Sequence, residues 1–340
     1  MHLELLDPCH DPEPPGWEDF RQAEGLTAVW AYDVIAASSE GSWARPLLAV
    51  FRDGPRVAGV VGAVCVGLRL PNSTRQPRPR REPILLDVRL PAHSNGPTWH
   101  FAEDVTPETR ARLLRGFERA AREHLGWGLA GALYRMVTGP CLPLVARRGA
   151  FVRESPGSMV MPLRWSSVDG WLGSLGKGRR QELRRQGRRI AEAAGVVVDQ
   201  GTARPDLDPS EMAELNRTHT ARLAARLDPR ADLPAAYFAA LLRREDVNVI
   251  SYRSGERLLA FAIVYEHPDA PVYGPWAALR PEEGGLKGLY FDSYVRIVRS
   301  AVEAGRKQLL CGRGMADVKR SLGFDYVPMA LVAVPRWAMG

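Results

Sequence analysis

The sequence predicts a mixed α/β (α+β) protein that is built from two similar domains in tandem. Its 340 residues are 45% hydrophobic and 25% charged, which is ordinary for a globular protein and sufficient for two cores of about 150 residues each. An internal repeat indicates that one domain was duplicated. Both copies alternate hairpin-like strands with long amphipathic helices. These three observations together favour two related domains.

Two stretches with the same pattern mark the repeat. The run FRDGPRV begins at Phe51 and precedes apolar residues up to Val66, and YRSGERL begins at Tyr252 and precedes apolar residues up to Tyr265. In each stretch, Asp-Gly or Ser-Gly supplies a tight turn between β-branched and aromatic residues. Both therefore predict a β-hairpin.

A further match lies near the end of each copy, where RRGAF at 147–151 parallels RSLGF at 320–324. The distance between matching segments shrinks along the chain, so the first copy contains insertions. We therefore expect an N-terminal domain over 1–165 and a C-terminal domain over 166–340.

The second copy predicts the element order β-α-α-β-β-β-α-β-α-β. Met212, Leu215 and His219 recur at helical spacing, and Gly305 ends the longest helix. The predicted strands are 196–199, 247–253, 257–266, 272–279, 308–311 and 328–334. The predicted helices are 210–226, 235–243, 286–304 and 315–322.

The first copy follows the same order more loosely. Thr106 followed by Pro107 predicts the N-cap and the first residue of a helix. The predicted strands are 47–51, 56–69, 84–90 and 130–137, and the predicted long helix is 107–124. A hairpin, a long helix and a following strand thus occur in both halves.

The net charge of +7 is concentrated in one predicted helix, 177–194. Leu183, Gly187, Ile190 and Ala194 form a narrow seam that can rest on the protein. The basic row on another side consists of Lys177, Arg180, Arg184 and Arg188. Such a row matches the phosphate repeat of a nucleic acid strand, so we expect RNA as a partner. The alternative is a solvated helix that pairs with acidic loops.

Cysteine usage and hydropathy exclude several classes of protein. The four cysteines lie far apart without a CxxC pair, which fits neither a disulfide framework nor a metal site. The longest uncharged stretch, Val57–Leu68, is shorter than the roughly 20 residues of a membrane-spanning helix. The N-terminal residues do not have the pattern of a secretory signal. We expect a cytoplasmic protein without a metal.

Four segments of the second copy resemble a known superfamily. They are LGKGRRQELRR at 175–185, Thr218 to Arg222 with Tyr237-Phe238, GLYFD at 288–292 with Tyr294, and GRG at 312–314 followed by VKR at 318–320 and LGF at 322–324. Together they are similar to the GNAT superfamily of acyltransferases, and specifically to the double-domain branch that contains the Fem-type peptidoglycan aminoacyltransferases. The resemblance implies two GNAT-like domains, the first of them degenerate, each with a mixed, mostly antiparallel central sheet flanked by helices.

One departure from the family bears on the acyl donor. Acetyl-coenzyme A enzymes of the superfamily carry Arg/Gln-x-x-Gly-x-Gly/Ala before the long helix, where backbone N–H groups hold a pyrophosphate. Here the run is PEEGGLKG at 281–288, in which Glu282 and Glu283 would repel a pyrophosphate. The resemblance therefore implies transfer of an aminoacyl group from aminoacyl-tRNA to an amine of a small molecule, either a natural-product or a cell-wall precursor, without a further cofactor. The alternatives are an acyl-coenzyme A-dependent N-acyltransferase and a non-catalytic RNA-binding protein.

The resemblance also implies the site residues. N-acyl transfer needs donors for the developing oxyanion and a route for the amine proton. Lys319 would donate to the carbonyl or leaving oxygen, and its alternative is a surface lysine. Tyr290 and Asp292 would orient the acceptor in the first turn of the long helix, although Tyr290 could equally pack between sheet and helix.

Other candidates lie at strand ends and in loops. Glu266 at a strand end could act as a general base, and its alternative is a solvated turn carboxylate. Cys311 has no histidine nearby in the sequence, so we expect a structural thiol. Donor-binding candidates are Arg313 and Gly314 after one strand, with Gly285 and Lys287 before the long helix.

Overall fold

The computed structural model describes residues 1–40, 44–67, 83–92, 94–223 and 232–340. The chain forms two compact units. The first contains Met1–Gly157 and Val327–Gly340, and the second contains Ser158–Tyr326. The two units thus differ from the predicted division at 165, most of all at the C-terminus. The physical reason is that the last strand forms its ladder with a strand of the first unit.

The first unit is a six-strand mixed sheet with helices and one additional short strand. Its elements are β1 (His2–Leu6), α1 (Trp17–Ala23), α2 (Tyr32–Ser38), β2 (Arg45–Asp53), β3 (Arg56–Gly67), β4 (Ile84–Val88), β5 (Trp99–Phe101), α3 (Pro107–Leu125), β6 (Leu129–Thr138) and α4 (Leu142–Val145). The strand β7 (Phe151–Pro162) leaves this unit for the second.

The second unit contains the remaining elements. These are α5 (Val168–Ser174), α6 (Lys177–Ala191), β8 (Val196–Thr202), α7 (Pro209–Leu223), α8 (Ala235–Leu242), β9 (Val247–Ser254), β10 (Arg257–Tyr265), β11 (Val272–Ala278), α9 (Leu289–Glu303), β12 (Gln308–Cys311) and α10 (Ala316–Arg320). The final strand, β13 (Asp325–Pro335), begins here and ends in the first unit.

Each sheet contains one parallel pair among antiparallel ones. In the first unit the strand order is β1-β2-β3-β4-β6-β13, with β5 on β3, and β4 is parallel to β6. In the second unit the order is β7-β12-β11-β10-β9-β8, and β11 is parallel to β12. The remaining pairs described in both sheets are antiparallel. The prediction of a mixed, mostly antiparallel sheet flanked by helices is confirmed.

The long helix of each unit packs an apolar face on its sheet. In α3, Leu114 and Phe117 are buried, and Thr106 caps the N-terminus by accepting a bond from the Thr109 N–H, as the sequence predicted. In α9, Ile297 and Val298 are fully covered. Burial of such side chains contributes roughly 1.5–3 kcal/mol each, so these faces fix the helices on the sheets.

Several boundaries differ from the prediction. Helix α9 begins at Leu289 rather than at 286, because Gly288 before it has a φ of 96° that a right-handed helix does not permit. The predicted end of α7 at 226 lies outside the described residues. The elements β1, α1, α2, β5, α4, β7 and α5 were not predicted; all except β7 are short, and the apolar pattern of each is weak.

Within the described part of the chain, no helix is long and apolar enough to span a bilayer. The same residues contain no group of three or more metal-ligating side chains. All four cysteines are free thiols, and Cys311 is the buried one.

Candidate functional site

The parallel strands of the second unit part at one edge of the sheet. β11 and β12 pair only through Val272 with Leu310 and Tyr273 with Cys311. Beyond this last pair, β11 runs on to Ala278 while β12 ends. Because parallel strands end at the same edge, the segments that follow both strands lie around this opening. Ligands of open α/β sheets bind at such edges.

Lys319 is placed behind this opening. β12 leads through an exposed loop, in which Met315 has a left-handed φ of 55°, into the short helix α10. That turn brings Lys319 back under the end of β12, where its residue is only 5% exposed. Its Nζ donates to the carbonyl oxygen of Gly312 at 2.5 Å. The alternative of a surface lysine is therefore wrong.

The environment of Lys319 is electrostatically unusual. Burial lowers the pKa of its ammonium group. The neighbouring Cys311 stays a neutral thiol, because burial raises its pKa to about 12. Among the residues that the structure describes, no carboxylate pairs with Lys319. A buried cation without an anionic partner can stabilise a negative charge that develops on a substrate.

Tyr290 connects to Lys319 through two other side chains. Its hydroxyl lies 3.1 Å from that of Tyr294, and the Tyr294 hydroxyl lies 3.7 Å from the sulfur of Cys311. Burial raises the pKa of Tyr290 to about 12, so the phenol keeps its proton near neutral pH. The ring also packs against Trp276 at 5.5 Å between centroids. Tyr290 thus packs against its neighbours, as one alternative expected, and its role in orienting an acceptor stays a prediction.

Asp292 has a different place from the expected one. It lies in the first turn of α9, as predicted, but it is only 7% exposed. Its Oδ2 accepts from the Tyr252 hydroxyl at 3.0 Å and from Arg296 Nε at 2.6 Å. A carboxylate held in this way fixes α9 on the sheet. The expectation that Asp292 orients an acceptor is corrected accordingly.

Glu266 lies at the other end of the sheet. It follows β10, whose last residue pairs with Val272 at the start of β11. Its carboxylate accepts from Asn248 at 3.3 Å and pairs with Arg306 at 3.5 Å. The structure therefore does not bring Glu266 to the opening beside Lys319, and the role of general base is not supported by its position.

The loop before α9 is closed by its own contacts. The Glu283 carboxylate accepts from the backbone N–H of Arg280 at 2.8 Å and pairs with Arg222. The hydrogen bond from the Arg280 backbone N–H lowers the pKa of Glu283, and the hydrogen bond and charge of the Arg222 side chain lower it further. The Gly285 N–H donates to the Arg280 carbonyl, so it points into the loop. A Cβ on Gly285 would lie 2.3 Å from the Leu279 carbonyl oxygen, which explains why glycine stands here.

The basic helix α6 covers the start of α9. The Gln186 side chain lies 3.1 Å from where a Cβ on Gly288 would stand, and a Cβ on Gly187 would stand 4.0 Å from Asp292. The guanidinium of Arg179 stacks over the Phe291 ring at 4.8 Å. Helix α6 therefore occupies the space directly in front of the residue that precedes α9.

The predicted row of α6 is present, but the predicted seam is shorter, because α6 ends at Ala191 rather than at 194 and Ala194 is exposed beyond it. Leu183 and Ile190 are buried. Lys177, Arg184 and Arg188 are exposed, while Arg180 is half-buried and donates to the Gly173 carbonyl at 3.1 Å. Arg184 approaches Asp169 only at 4.0 Å, between two exposed side chains. The row thus offers charge to a partner at little cost in internal contacts.

The donor-binding candidates lie in the loops that follow the two parallel strands. Arg313 and Gly314 are exposed in the loop that follows β12. Lys287 is exposed in the loop that follows β11, and Gly285 is half-buried there. These four therefore lie in the loops that follow the two parallel strands, while Asp292 is buried and Glu266 pairs with Arg306 ahead of β12.

Sequence reasoning missed three participants. Tyr252 holds Asp292, Tyr294 bridges Tyr290 and Cys311, and Gln186 covers Gly288. Tyr290 and Tyr294 stand four residues apart on a helix, a spacing that places both on one face. That signal was available. The contacts of Tyr252 and Gln186 depend on tertiary packing and had no local signature.

Comparison with known proteins places this site in a family. The family described as acetyltransferase (GNAT) domain matches residues 177–320, which lie within the second unit. No functionally curated protein sequence is significantly similar to the chain.

Solved structures share the fold over nearly the whole chain. The C-terminal domain of a putative lysylphosphatidylglycerol synthetase from Agrobacterium fabrum has a TM-score of 0.60 at 14% identity, covering 93% of this chain and 89% of that one. FemX has a TM-score of 0.58 at 12% identity, with 97% and 96% covered. A tandem GNAT protein from the clavulanic acid biosynthesis pathway has a TM-score of 0.50 at 15% identity, with 98% and 99% covered. Residues 177–320 therefore form an acetyltransferase (GNAT) domain, and the chain is an acyltransferase with the double-domain GNAT fold that resembles the Fem-type transferases.

Proposed function

We propose that the protein transfers an aminoacyl group from aminoacyl-tRNA to an amine of a small molecule, forming an amide. The observation that carries the proposal is the closed loop before α9. Glu283 and Gly285 are bonded within that loop, and Gln186 covers Gly288. A coenzyme A pyrophosphate held at a helix N-terminus needs open N–H groups and no nearby carboxylate. In this loop the Gly285 N–H is already bonded and the Glu283 carboxylate adds negative charge, so a donor without that group fits better.

The chemistry required of the site is simple. The acceptor amine attacks the ester carbonyl of the donor and forms a C–N bond, while the carbonyl oxygen becomes an oxyanion. The C–O ester bond then breaks, the ribose oxygen leaves as a hydroxyl, and the amine loses its proton. One negative charge therefore appears and disappears, and one proton moves from nitrogen to oxygen.

Lys319 is suited to this sequence. Its ammonium group has three donors, of which the Gly312 carbonyl takes one at 2.5 Å. The others can stabilise the oxyanion or donate to the leaving oxygen. Because no described carboxylate neutralises it, a developing negative charge would find an uncompensated cation in a poorly solvated place. Tyr290 adds a neutral hydroxyl donor, which connects to the neighbourhood of Lys319 through Tyr294 and Cys311.

The basic helix supplies the second part of the proposal. Lys177, Arg184 and Arg188 present charge on one face of α6, while the other side of the helix packs on α9. A tRNA backbone carries phosphates that such a row can bind. The resemblance to FemX and to a putative lysylphosphatidylglycerol synthetase supports aminoacyl transfer, because lysylphosphatidylglycerol is an aminoacyl ester.

The experiment compares the two donors directly. Purified protein is incubated with total tRNA charged with labelled amino acids, or with acetyl-coenzyme A, each with a panel of diamino acids and amino sugars. Product mass then identifies the bond formed. We expect labelled amides from charged tRNA only. Amides from acetyl-coenzyme A only would favour the acyl-coenzyme A enzyme, and tRNA binding without any product would favour a non-catalytic RNA-binding protein.

A further inference from the structure

The first unit has its own pair of parting parallel strands. β4 and β6 are paired from Ile84 up to Val88, which lies opposite Tyr134. This pair corresponds to β11 and β12 of the second unit, since each is the one parallel pair described in its sheet. The residues at its end have no role in the acyl transfer proposed above.

Three charged side chains meet at this point on one face of the sheet. Asp87 lies on β4, Arg89 is the first residue after β4, and Arg135 follows Tyr134 on β6. Tyr134 points toward α3, because its hydroxyl donates to Glu118 at 2.7 Å. Since neighbouring residues of a strand point to opposite faces, Arg135 lies on the face away from α3.

The Asp87 carboxylate accepts a hydrogen bond from the Nε–H of each arginine. Its Oδ2 accepts from Arg89 Nε at 2.9 Å, and its Oδ1 accepts from Arg135 Nε at 2.6 Å. The Asp87 side chain is only 4% exposed, whereas those of Arg89 and Arg135 are 26% and 34% exposed. The buried Asp87 carboxylate thus binds two guanidinium groups that are partly exposed to solvent.

Because both arginines bind Asp87 through Nε, most of their Nη groups stay available to bind a ligand. Two other ion pairs of the chain, Arg56 with Asp104 and Arg204 with Asp206, use two nitrogens of the arginine on two oxygens of one carboxylate. In the cluster, Arg89 uses Nη1 on the Leu90 and Pro91 carbonyls. Across the described residues, Arg135 Nη1 and Nη2 and Arg89 Nη2 have no partner.

The net charge of the cluster indicates the charge of its ligand. Two guanidinium groups and one carboxylate leave a net charge of +1, so a singly charged anion neutralises the cluster. A tie between β4 and β6 needs only one arginine, and the second adds a partly desolvated charge that costs stability. We propose that Asp87, Arg89 and Arg135 form a site for a monoanionic group with two equivalent oxygens, which is a carboxylate or a phosphodiester. The inference does not depend on the proposed acyl transfer, because the site is defined by binding alone.

Nuclear magnetic resonance of the full chain, labelled with ¹⁵N-arginine, tests the site. The Nε–H signals are followed while sodium acetate or sodium dimethyl phosphate replaces sodium chloride at constant ionic strength. We expect saturable shifts at Arg89 and Arg135 with half-saturation at roughly 1 mM to 10 mM, which is ordinary for so small a ligand. A response to acetate identifies a carboxylate site, and a response to dimethyl phosphate identifies a phosphodiester site. The closed pairs of Arg56 and Arg204 should not respond.

Variants make the assignment specific. Arg135→Gln should abolish the saturable shift at Arg89, and Arg112→Gln, an exposed arginine on α3, should leave it unchanged. Arg135→Lys keeps the positive charge but lacks the planar guanidinium group, so it should weaken anion binding about 10-fold. This variant provides a test if Arg135→Gln does not fold. Shifts that stay linear with either anion, or equal binding by Arg135→Gln, would overturn the site.

Discussion

Lys319 Nζ lies 2.5 Å from the carbonyl oxygen of Gly312, the first residue after β12. This bond ties the ammonium group to the point where the two parallel strands part. A short helix, a left-handed residue and a buried position are all needed to place it there. The chain thus uses several local features to hold one cation at the edge where a donor would enter.

Replacing this lysine should affect catalysis strongly. Lys319→Ala should lower turnover by about 10²- to 10³-fold, the range for losing one donor to an oxyanion. Lys307→Ala is the matched control, because Lys307 is exposed and pairs with Asp269 at 3.0 Å away from the opening. Turnover under saturating donor, with folding checked by circular dichroism, measures the effect. Equal turnover of both variants would remove Lys319 from the mechanism.

The rate should depend on pH in a way that follows from the lowered pKa of Lys319. If the ammonium form is the active one, turnover falls as pH rises through this lowered pKa, earlier than an ordinary lysine with a pKa near 10.5 would allow. Lys319→Arg keeps the charge at all accessible pH values, so its residual activity should lack the alkaline fall. Single-turnover rates between pH 6 and about 10 measure the profile. An alkaline fall that persists in the arginine variant would assign it to another group.

The buried ammonium group of Lys319 should also lower the free energy of unfolding. Between the lowered pKa of Lys319 and the ordinary value, the unfolded chain binds more protons than the folded one, so the free energy of unfolding rises with pH across that window. Below the window the buried charge carries its full desolvation cost. Lys319→Met should therefore raise the melting temperature near pH 7 by about 2–4 °C and lessen the gain toward alkaline pH. A variant that melts below the parent at pH 7, with Lys307→Met unchanged, would contradict this.

Asp292 should act on stability and not on chemistry. Asp292→Asn removes the charge that Arg296 and the Tyr252 hydroxyl bind, and should lower the free energy of unfolding by about 2–3 kcal/mol. Urea unfolding measures the loss. Turnover per folded molecule should stay within about twofold of the parent, because the carboxylate is buried and occupied by its partners. A large loss of turnover in a fully folded variant would restore Asp292 to the acceptor site.

Much of the fold could be predicted, because its signals are local. The turn residues at 53–54 and 254–255, the apolar strands and the amphipathic long helices are properties of short segments. The C-terminal strand, which the prediction included in the second domain, pairs with β6 of the first compact unit, because strand pairing over long separations has no local pattern. Short elements such as β1 and α5 were missed for the related reason that few residues carry their pattern.

The site residues show the same difference between local signals, which the sequence contains, and long-range contacts, which it does not reveal. Lys319 and Tyr290 were found because motifs mark them, and the structure brings both to one edge of the sheet. Asp292 sits in the predicted turn, yet which way a carboxylate faces depends on partners from distant segments such as Tyr252. Glu266 was chosen from its place at a strand end, but a strand has two ends and only the register identifies the open one.

The basic row on α6 separates tRNA from a small donor most sharply. Each phosphate contact releases roughly one counterion, so the logarithm of affinity for tRNA should fall with the logarithm of salt concentration by about 0.7–0.9 per contact. Arg184→Gln with Arg188→Gln removes two exposed charges and retains good helix formers. This double variant should flatten the slope by about 1.5.

Matched charge removal elsewhere provides the control for that measurement. Arg112→Gln with Arg119→Gln also removes two exposed arginines from one helix face, on α3 of the first unit. Filter binding of charged tRNA between about 50 mM and 200 mM salt gives each slope. We expect the α3 variant to keep the parent's slope, because a general loss of positive charge acts weakly through salt solution over a Debye length of about 8–10 Å. If both variants flatten the slope equally, the effect reflects net charge, and if neither does, α6 is a solvated face and the acyl-coenzyme A alternative becomes the better one.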